Sequence, residues 1–372
     1  MHILALCAVP PWPALDGGRR RTLELLSALA RQAPVTLCAV EDPDSHHDLP
    51  VAADAFQAVH LFPRSPLPPG VAPLAARPER WFHSLALKSW LQGPDGCAHA
   101  SALFLDEPWL LRAVPREAPP ILAHHHKLEV ELARDLKHPW HERVRVERLE
   151  RMLALRARTH VFASQEDRTR FLGRHPNTRT QVLPAGVDPR RFVVPEAARD
   201  PKRLLFFGSL GYEPNRRALI ELFREHWPRI HAQHPELILD VVGAGEAPQL
   251  EREKPAGVNW IGYVPDPLPY LQRASALLAP IPIAGGARQK MVEALATGCP
   301  IIATERAAEG LPRAKDWLQL TKPGQAFGQA VLDHVVAPEA SFERGLEAAQ
   351  WVRQQFSWDT LAGQLRGFLQ NS

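Results

Sequence analysis

Short runs of Val, Ile, Leu and Ala alternate along the chain with segments whose apolar positions recur at helical spacing. Runs of that kind predict strands buried on both faces, and strands alternating with amphipathic helices predict parallel sheets covered by helices, an α/β architecture. In the first half, residues 3–9, 35–40, 58–62, 103–105, 121–123, 160–163 and 181–183 read as strands. A helix over 20–31 separates the first two, with Leu23, Leu26 and Ala30 on one stripe and Leu25 and Leu29 beside it. Ser164 followed by Asp167 predicts the capped start of another helix. The segment 184–202 breaks the pattern with prolines, an Ala-Gly turn and mixed charge, which marks a domain boundary. Beyond it the alternation resumes, with strands at 204–207, 238–242, 259–261, 276–279, 301–304 and 317–320. Helices are expected at 215–226, 267–273 and 289–296, and two more at 341–355 and 358–369. Two doubly wound domains bring two carboxyl-end sheet edges to one cleft, where sheets of this type bind ligands.

Composition narrows the function. The 372 residues hold 44 Lys plus Arg against 41 Asp plus Glu, a formal net charge of +3, which excludes an obligate nucleic-acid binder. With 45% apolar and 23% charged residues the chain reads as globular, and its 37 prolines follow no repeat. Cys7, Cys38, Cys97 and Cys299 lack the close pairing of zinc sites and read as buried thiols of a reducing compartment. The uncharged stretch 274–287 is too short for a membrane-spanning helix. Residues 1–9 are apolar without a basic lead and run into Pro10, Pro11 and Pro13, so they read as a strand and the expected location is the cytoplasm.

Several clusters carry candidate chemistry. Gly17 and Gly18, between the first strand and the first helix, let backbone amides approach a phosphate or a reacting sugar. His124, His125 and His126 cannot all face one metal from a strand, because alternate side chains point to opposite faces; no metal site is expected. His126 with Glu129 behind it reads either as a cleft-facing pair or as surface. Gly243-Ala244-Gly245 resembles the start of a dinucleotide fingerprint but has Pro248 where the third glycine belongs. Asp42-Pro43-Asp44 has the spacing of a metal-binding acidic pair, but its neighbours His46 and His47 favour a solvated loop. The strongest signal is Gly285-Gly286 followed by Arg288 and Lys290, a helix carrying Glu293, and Gly298-Cys299-Pro300. Cations at a helix N-terminus oppose its dipole and need a compensating anion, which suits a diphosphate; Glu293, one turn on, suits a ribose diol. The plainer alternative is a surface pair of Lys290 with Glu293.

With these residues the sequence resembles the retaining glycosyltransferases of family 4, whose GT-B fold has two Rossmann-like domains facing across a cleft. The most specific part is Gly286-Ala287-Arg288-Gln289-Lys290-Met291-Val292-Glu293-Ala294-Leu295-Ala296-Thr297-Gly298-Cys299-Pro300, with Thr304 and Glu309-Gly310-Leu311 after it. Supporting it are Pro10-Pro11-Trp12-Pro13 with Asp16-Gly17-Gly18, the segment His126 to Glu129, Ser164 with Asp167, and Pro184-Ala185-Gly186-Val187-Asp188 leading to Phe192. Gly208-Ser209-Leu210, Pro214-Asn215, Gly243 to Gly245 and Gly262-Tyr263-Val264 complete the match. The resemblance implies an acceptor-binding domain at 1–184, a linker at 185–202, a nucleotide-sugar domain at 203–345, and C-terminal helices at 346–372 crossing back to the first domain.

It also implies roles. Glu293 would bind the ribose hydroxyls; Gly285 and Gly286, with Arg288 and Lys290, the diphosphate; Tyr263 and Val264 the base; Gly208 and Gly243 would add donor contacts. Gly17 and Gly18 would face phosphate and sugar across the cleft, with His126 beside the sugar; His126, Gly18 and Lys290 form the expected catalytic set. The donor would be a UDP-sugar ahead of a GDP-sugar, with no prosthetic group and no metal, and the acceptor a glycan, a lipid-linked species or a small molecule. Retention would follow front-face attack with the leaving phosphate oxygen as base. Four positions depart from the family pattern: Gly285 stands where a second glutamate is common, Ser209 and Asn215 replace an Arg and a Lys, and Ala185 replaces an Asn. A degenerate sugar-nucleotide-binding scaffold and a nucleotide-sugar epimerase of the same fold are the alternatives.

For the acceptor two features stand out. The segment 137–158 carries Arg143, Arg145, Arg148, Arg151, Arg156 and Arg158 among Glu142, Glu147 and Glu150. It reads as a salt-bridged solvent face, or as a face toward anionic lipid or an acidic acceptor, with peripheral contact at the inner face of a membrane. Trp12, Trp81, Trp90, Trp109 and Trp140 are either core or stacking platforms.

Overall fold

The computed structural model describes residues 1–14, 16–41, 54–282 and 288–371. Thirteen strands form two parallel sheets. The first holds β1 (Ile3–Cys7), β2 (Val35–Glu41), β3 (Ala58–Pro63), β4 (Ala102–Asp106), β5 (Ile121–His125), β6 (Thr159–Phe162) and β7 (Thr180–Val182), in the order β3-β2-β1-β4-β5-β6-β7. The second holds β8 (Asp200–Phe207), β9 (Ile238–Val242), β10 (Val258–Gly262), β11 (Ala274–Ala279), β12 (Ile301–Thr304) and β13 (Gln319–Thr321), in the order β10-β9-β8-β11-β12-β13. Every residue of β1, β4, β5, β11 and β12 is buried, which explains their largely apolar sequences: helices cover both faces.

Strand order reverses beside β1 in the first sheet, where Ile3 pairs with Val35 on one side and Ala102 on the other. In the second sheet it reverses beside β8, between β9 and β11. These switch points open a crevice at the strands' carboxyl ends. The two-domain Rossmann-like fold expected of the chain is therefore present.

The first helix, Gly17–Ala30, begins ahead of its expected start because Asp16 caps it, its Oδ1 accepting from the Arg19 amide at 2.9 Å. Ser164 caps the Gln165–Arg174 helix by accepting from the Asp167 amide at 3.0 Å.

The helix Glu339–Gln355 packs on the second domain, where Gly345 lies against the Gly298 carbonyl. The chain then crosses back. Val187 forms a parallel bridge with Ser357, and Leu361, Ala362, Leu365 and Leu369 of the last helix, Trp358–Gln370, share one buried cluster with Ile3, Leu25 and Leu29. Gly186 sits where the chain passes the Trp358 indole: a Cβ there would lie 2.4 Å from the ring. All four cysteines are buried and free, and no described helix is long and apolar enough to cross a membrane.

Candidate functional site

A cavity of about 590 Å³ opens between the carboxyl ends of the two sheets, lined by both domains. On the second domain's side, helix Gln289–Ala296 presents Lys290 and Glu293 to it. Glu293 is buried, and its Oε1 accepts from Gln289 Nε2 at 2.9 Å and from Arg20 Nη1 of the first domain at 3.2 Å. Both bonds fall on Oε1. Gln289 also donates to the Gly186 carbonyl at 3.0 Å, which ties this helix to the segment between the domains.

Lys290 does not pair with Glu293, so the surface-pair alternative fails. Its Nζ donates to Asn215 Oδ1 at 2.9 Å and lies 5.5 Å from the centroid of the Phe206 ring. Burial, with Arg288 nearby, pushes its ammonium down to about 7. Asn215 in turn donates to the Ser209 carbonyl at 2.9 Å, so it holds Lys290 against the loop after β8.

Arg288 departs from a simple phosphate clamp. It adopts a left-handed backbone (φ 54°, ψ 30°), and its guanidinium donates to the carbonyls of Glu309 at 2.9 Å and Arg306 at 3.0 Å. It lines the cavity while bracing the 305–309 segment, and burial lowers its pKa. The expected Gly285 and Gly286 contacts lie outside the described residues, as does the Asp42–Asp44 loop with His46 and His47.

Gly208 and Gly243 both line the cavity, and their backbones pack on each other: a Cβ at Gly243 would lie 1.9 Å from the Gly208 carbonyl oxygen. A Cβ at Gly208 would meet Lys290 Nζ at 3.1 Å. Tyr263 and Val264 edge the same cavity, with Tyr263 57% exposed and open to stacking.

Facing them, Gly17 and Gly18 begin the first helix. A Cβ at Gly17 would lie 3.3 Å from Gln289 Cβ, so glycine allows this close approach of the domains. Beside Gly18 stands a buried cluster that the register of β4 and β5 creates by pairing Asp106 with His124. Asp106 Oδ1 accepts from His124 Nδ1 at 2.7 Å and His126 Nε2 at 2.8 Å, and Oδ2 accepts from Thr22 Oγ1 at 2.8 Å. Burial favours the neutral carboxyl, but His126 and His124 outweigh it and hold Asp106 well below the usual range. Burial likewise opposes the His126 imidazolium, and Asp106 outweighs that and raises its pKa; His124 is pushed down to about 3 by burial and Arg21.

His124 and His126 share one face while His125 turns away to stack on Phe162, as alternation on a strand requires. Ligand-type atoms of Asp106, His124 and His126 lie within 4.8 Å of one another, a spacing open to a cation; here they bond to each other. His126 faces the cavity, but its companion is Asp106; Glu129 instead pairs with Lys127 at 3.2 Å, as does Glu107. Burial would lower the Lys127 ammonium, yet the two carboxylates raise it well above its ordinary value.

The structure thus brings Gly17, Gly18, His126, Gly208, Gly243, Tyr263, Val264, Arg288, Lys290 and Glu293 to one cavity. The sequence reading missed Arg20, Thr22, Asp106, Lys127 and Gln289. Only Gln289 carried a signal, its place between the two cations; the others come together through sheet register and domain facing. Of the tryptophans, Trp12 and Trp109 are core, Trp90 is half-buried against His60 and Phe62, and Trp81 and Trp140 are exposed.

Comparison with known proteins agrees with the fold. Residues 15–191 match the family model Glycosyltransferase Family 4, and residues 201–335 match the model Glycosyl transferases group 1. No protein with a curated description matches the sequence. Solved structures match over nearly the whole chain. Sucrose-phosphate synthase from Thermosynechococcus elongatus is 17% identical, with a TM-score of 0.77 over 100% of this chain and 98% of the other. HepE of Anabaena in complex with UDP-glucose is 16% identical, with a TM-score of 0.70 over 100% of both chains. WaaG, a glycosyltransferase involved in lipopolysaccharide biosynthesis, is 14% identical, with a TM-score of 0.71 over 99% of this chain and 100% of the other.

Proposed function

From a GT-B chain that carries glycosyltransferase domains in both halves, we propose an enzyme that moves a sugar from a UDP-sugar to a glycan or lipid-linked acceptor, with retention of anomeric configuration and without a metal. The observation that carries this is the facing of Lys290 and Glu293 on one wall of the cavity with Gly17, Gly18 and His126 on the other. In this reading Glu293 Oε2 takes the ribose diol, Tyr263 and Val264 flank the base, and Lys290 meets the diphosphate. Gly17 and Gly18 bring the positive end of the first helix to the phosphate nearest the sugar, and Gly208 and Gly243 keep the opposite loops low enough to admit it. The UDP assignment is supported by the UDP-glucose bound to the similar HepE fold.

Chemically, the leaving diphosphate gains negative charge while the sugar carbon becomes cationic. Lys290, with Arg288 nearby, stabilises the first, and His126, oriented by Asp106, contacts the sugar. Retention by front-face attack fits the state of the cavity's carboxylates. Among the described residues that line it, Asp106 is committed to two histidines and Thr22, Glu107 pairs with Lys127, Glu293 is held by Arg20 and Gln289, and Asp16 caps the first helix through the Arg19 amide and pairs with the Arg19 side chain at 3.7 Å. None is presented as a free nucleophile, which leaves the departing phosphate oxygen as the base.

The test is a panel of UDP- and GDP-sugars scored for nucleoside diphosphate release with and without acceptors, and the product's anomeric configuration read by NMR. Donor interconversion without transfer would replace this reading with the epimerase, and no nucleotide binding with the scaffold. Product formed with inverted configuration, or only with added divalent metal, would correct the mechanism.

A further inference from the structure

The helix Trp140–Arg156 reads from sequence as a salt-bridged solvent face, but none of its carboxylates pairs with Arg143, Arg148 or Arg151 among the described residues. Glu142 is buried, accepts from the Arg77 amide and pairs with Arg145 at 3.2 Å. Glu150 is buried and bonds Arg174 at 2.7 Å and His175 at 3.1 Å. Glu147 pairs with Arg134 at 2.8 Å. The side chains of Arg143, Arg148 and Arg151 are exposed and, among the described residues, have no hydrogen bond or ion pair.

The same face is apolar where a solvated helix would not be. Val146, Leu149 and Leu153 supply the buried side, yet Trp140, Val144 and Leu155 are 71%, 53% and 82% exposed. At 100° per residue, Trp140, Arg151, Val144, Leu155 and Arg148 fall within about a quarter of the helix circumference. Large apolar side chains interleaved with uncompensated arginines suit a partner that is anionic at its surface and apolar beneath, a lipid interface. A nucleic acid or an acidic polypeptide would satisfy the arginines but offer nothing to Leu155.

We propose that this face docks the protein on an anionic bilayer, with Trp140, Val144 and Leu155 entering the interface and Arg143, Arg148 and Arg151 meeting lipid phosphates. Glu142 links the helix to its neighbour Arg77–Trp81, where Trp81 is 55% exposed and the next residue, Phe82, lines the cavity. Resting on the transfer reading, a bilayer held at this face would suit a lipid-anchored acceptor.

Co-sedimentation of the full chain with vesicles of phosphatidylcholine alone, and of phosphatidylcholine with phosphatidylglycerol, tests it. Binding is expected only to the anionic vesicles and should be released by high salt. Arg148→Glu with Arg151→Glu, at about fivefold per basic residue, should lower partitioning by about twenty-five-fold or more. Trp140→Ser with Leu155→Ser should lower it too, with UDP-glucose turnover in solution unchanged in both variants. Circular dichroism confirms that the variants fold, and a blue shift of wild-type fluorescence on vesicles that Trp140→Phe removes gives an independent readout. No binding to anionic vesicles, binding that both double variants retain, or capture by polyglutamate in place of vesicles overturns the proposal. Vesicle binding by a chain that releases no nucleoside diphosphate would leave the docking face standing and sink the transfer reading alone.

Discussion

The Arg20 guanidinium of the first domain lies 3.2 Å from the Glu293 carboxylate of the second, inside the cavity both domains build. This ion pair spans the cleft and, with the bond from Gln289, falls on one oxygen of the Glu293 carboxylate.

Replacing Glu293 by Ala removes a charged hydrogen-bond acceptor from the proposed ribose site. UDP affinity should fall by about 1.5–3 kcal/mol, while Arg20→Ala, which leaves Gln289 holding the carboxylate, should cost less. Isothermal titration calorimetry measures both, and unchanged affinity in Glu293→Ala removes this carboxylate from the nucleotide site.

Lys290 predicts a pH dependence of donor binding. Its ammonium, pushed down to about 7 by burial, begins to lose its proton above that pH in the free protein, and a bound diphosphate pulls the pKa back up. UDP-glucose, whose phosphates do not titrate in this range, should bind with constant affinity below about pH 7. Above it binding should weaken by up to about tenfold per pH unit. Lys290→Met should bind more weakly at neutral pH and show a flat profile; a wild-type slope in that variant would place the titrating group elsewhere.

Asp106→Asn keeps the shape of the buried cluster but removes the charge that two histidines and Thr22 share. The depressed carboxyl contributes stability above its unfolded pKa of about 4, lost as pH falls through its folded value. The raised His126 contributes stability fully present below about pH 6.5, lost as pH rises through its folded value. The variant should therefore lose most stability, on the order of 2–4 kcal/mol, between roughly pH 4 and 6.5. Urea denaturation at several pH values measures this, and a deficit of equal size at every pH would mean that packing, not charge, explains the loss.

Gly186→Ala places a methyl 2.4 Å from the Trp358 ring at the return of the C-terminal helix to the first domain. Overpacking of this kind costs about 1–3 kcal/mol. A lowered thermal midpoint is expected, while Gly173→Ala, in a helix with nothing within 4 Å of the added carbon, should shift it far less. Equal midpoints for Gly186→Ala and the unaltered chain would show that the crossing is not tightly packed.

Much of the fold was legible in the chain because parallel sheets covered on both faces write themselves as unbroken apolar runs; β1, β5 and β12 lie where those runs predicted. The glycine-rich and basic stretch ending in Lys290 and Glu293 was also legible, since cations at a helix start make poor sense without an anion. Arg288 was misread in part. Composition shows a cation before the helix, but only the folded 305–309 segment shows the carbonyls that occupy it.

Sequence alone thus determined the elements, their alternation, and many of the residue types that line the cavity, because these depend on local periodicity and local chemistry. The tertiary structure decided partnership. It set Asp106 beside His126 through strand register and Arg20 opposite Glu293 through domain facing, and among the described residues it left Arg148 and Arg151 unpaired, with Glu147 paired to Arg134 and Glu150 to Arg174. Side chains far apart in the chain meet only where two packed sheets put them, and no local pattern encodes that meeting.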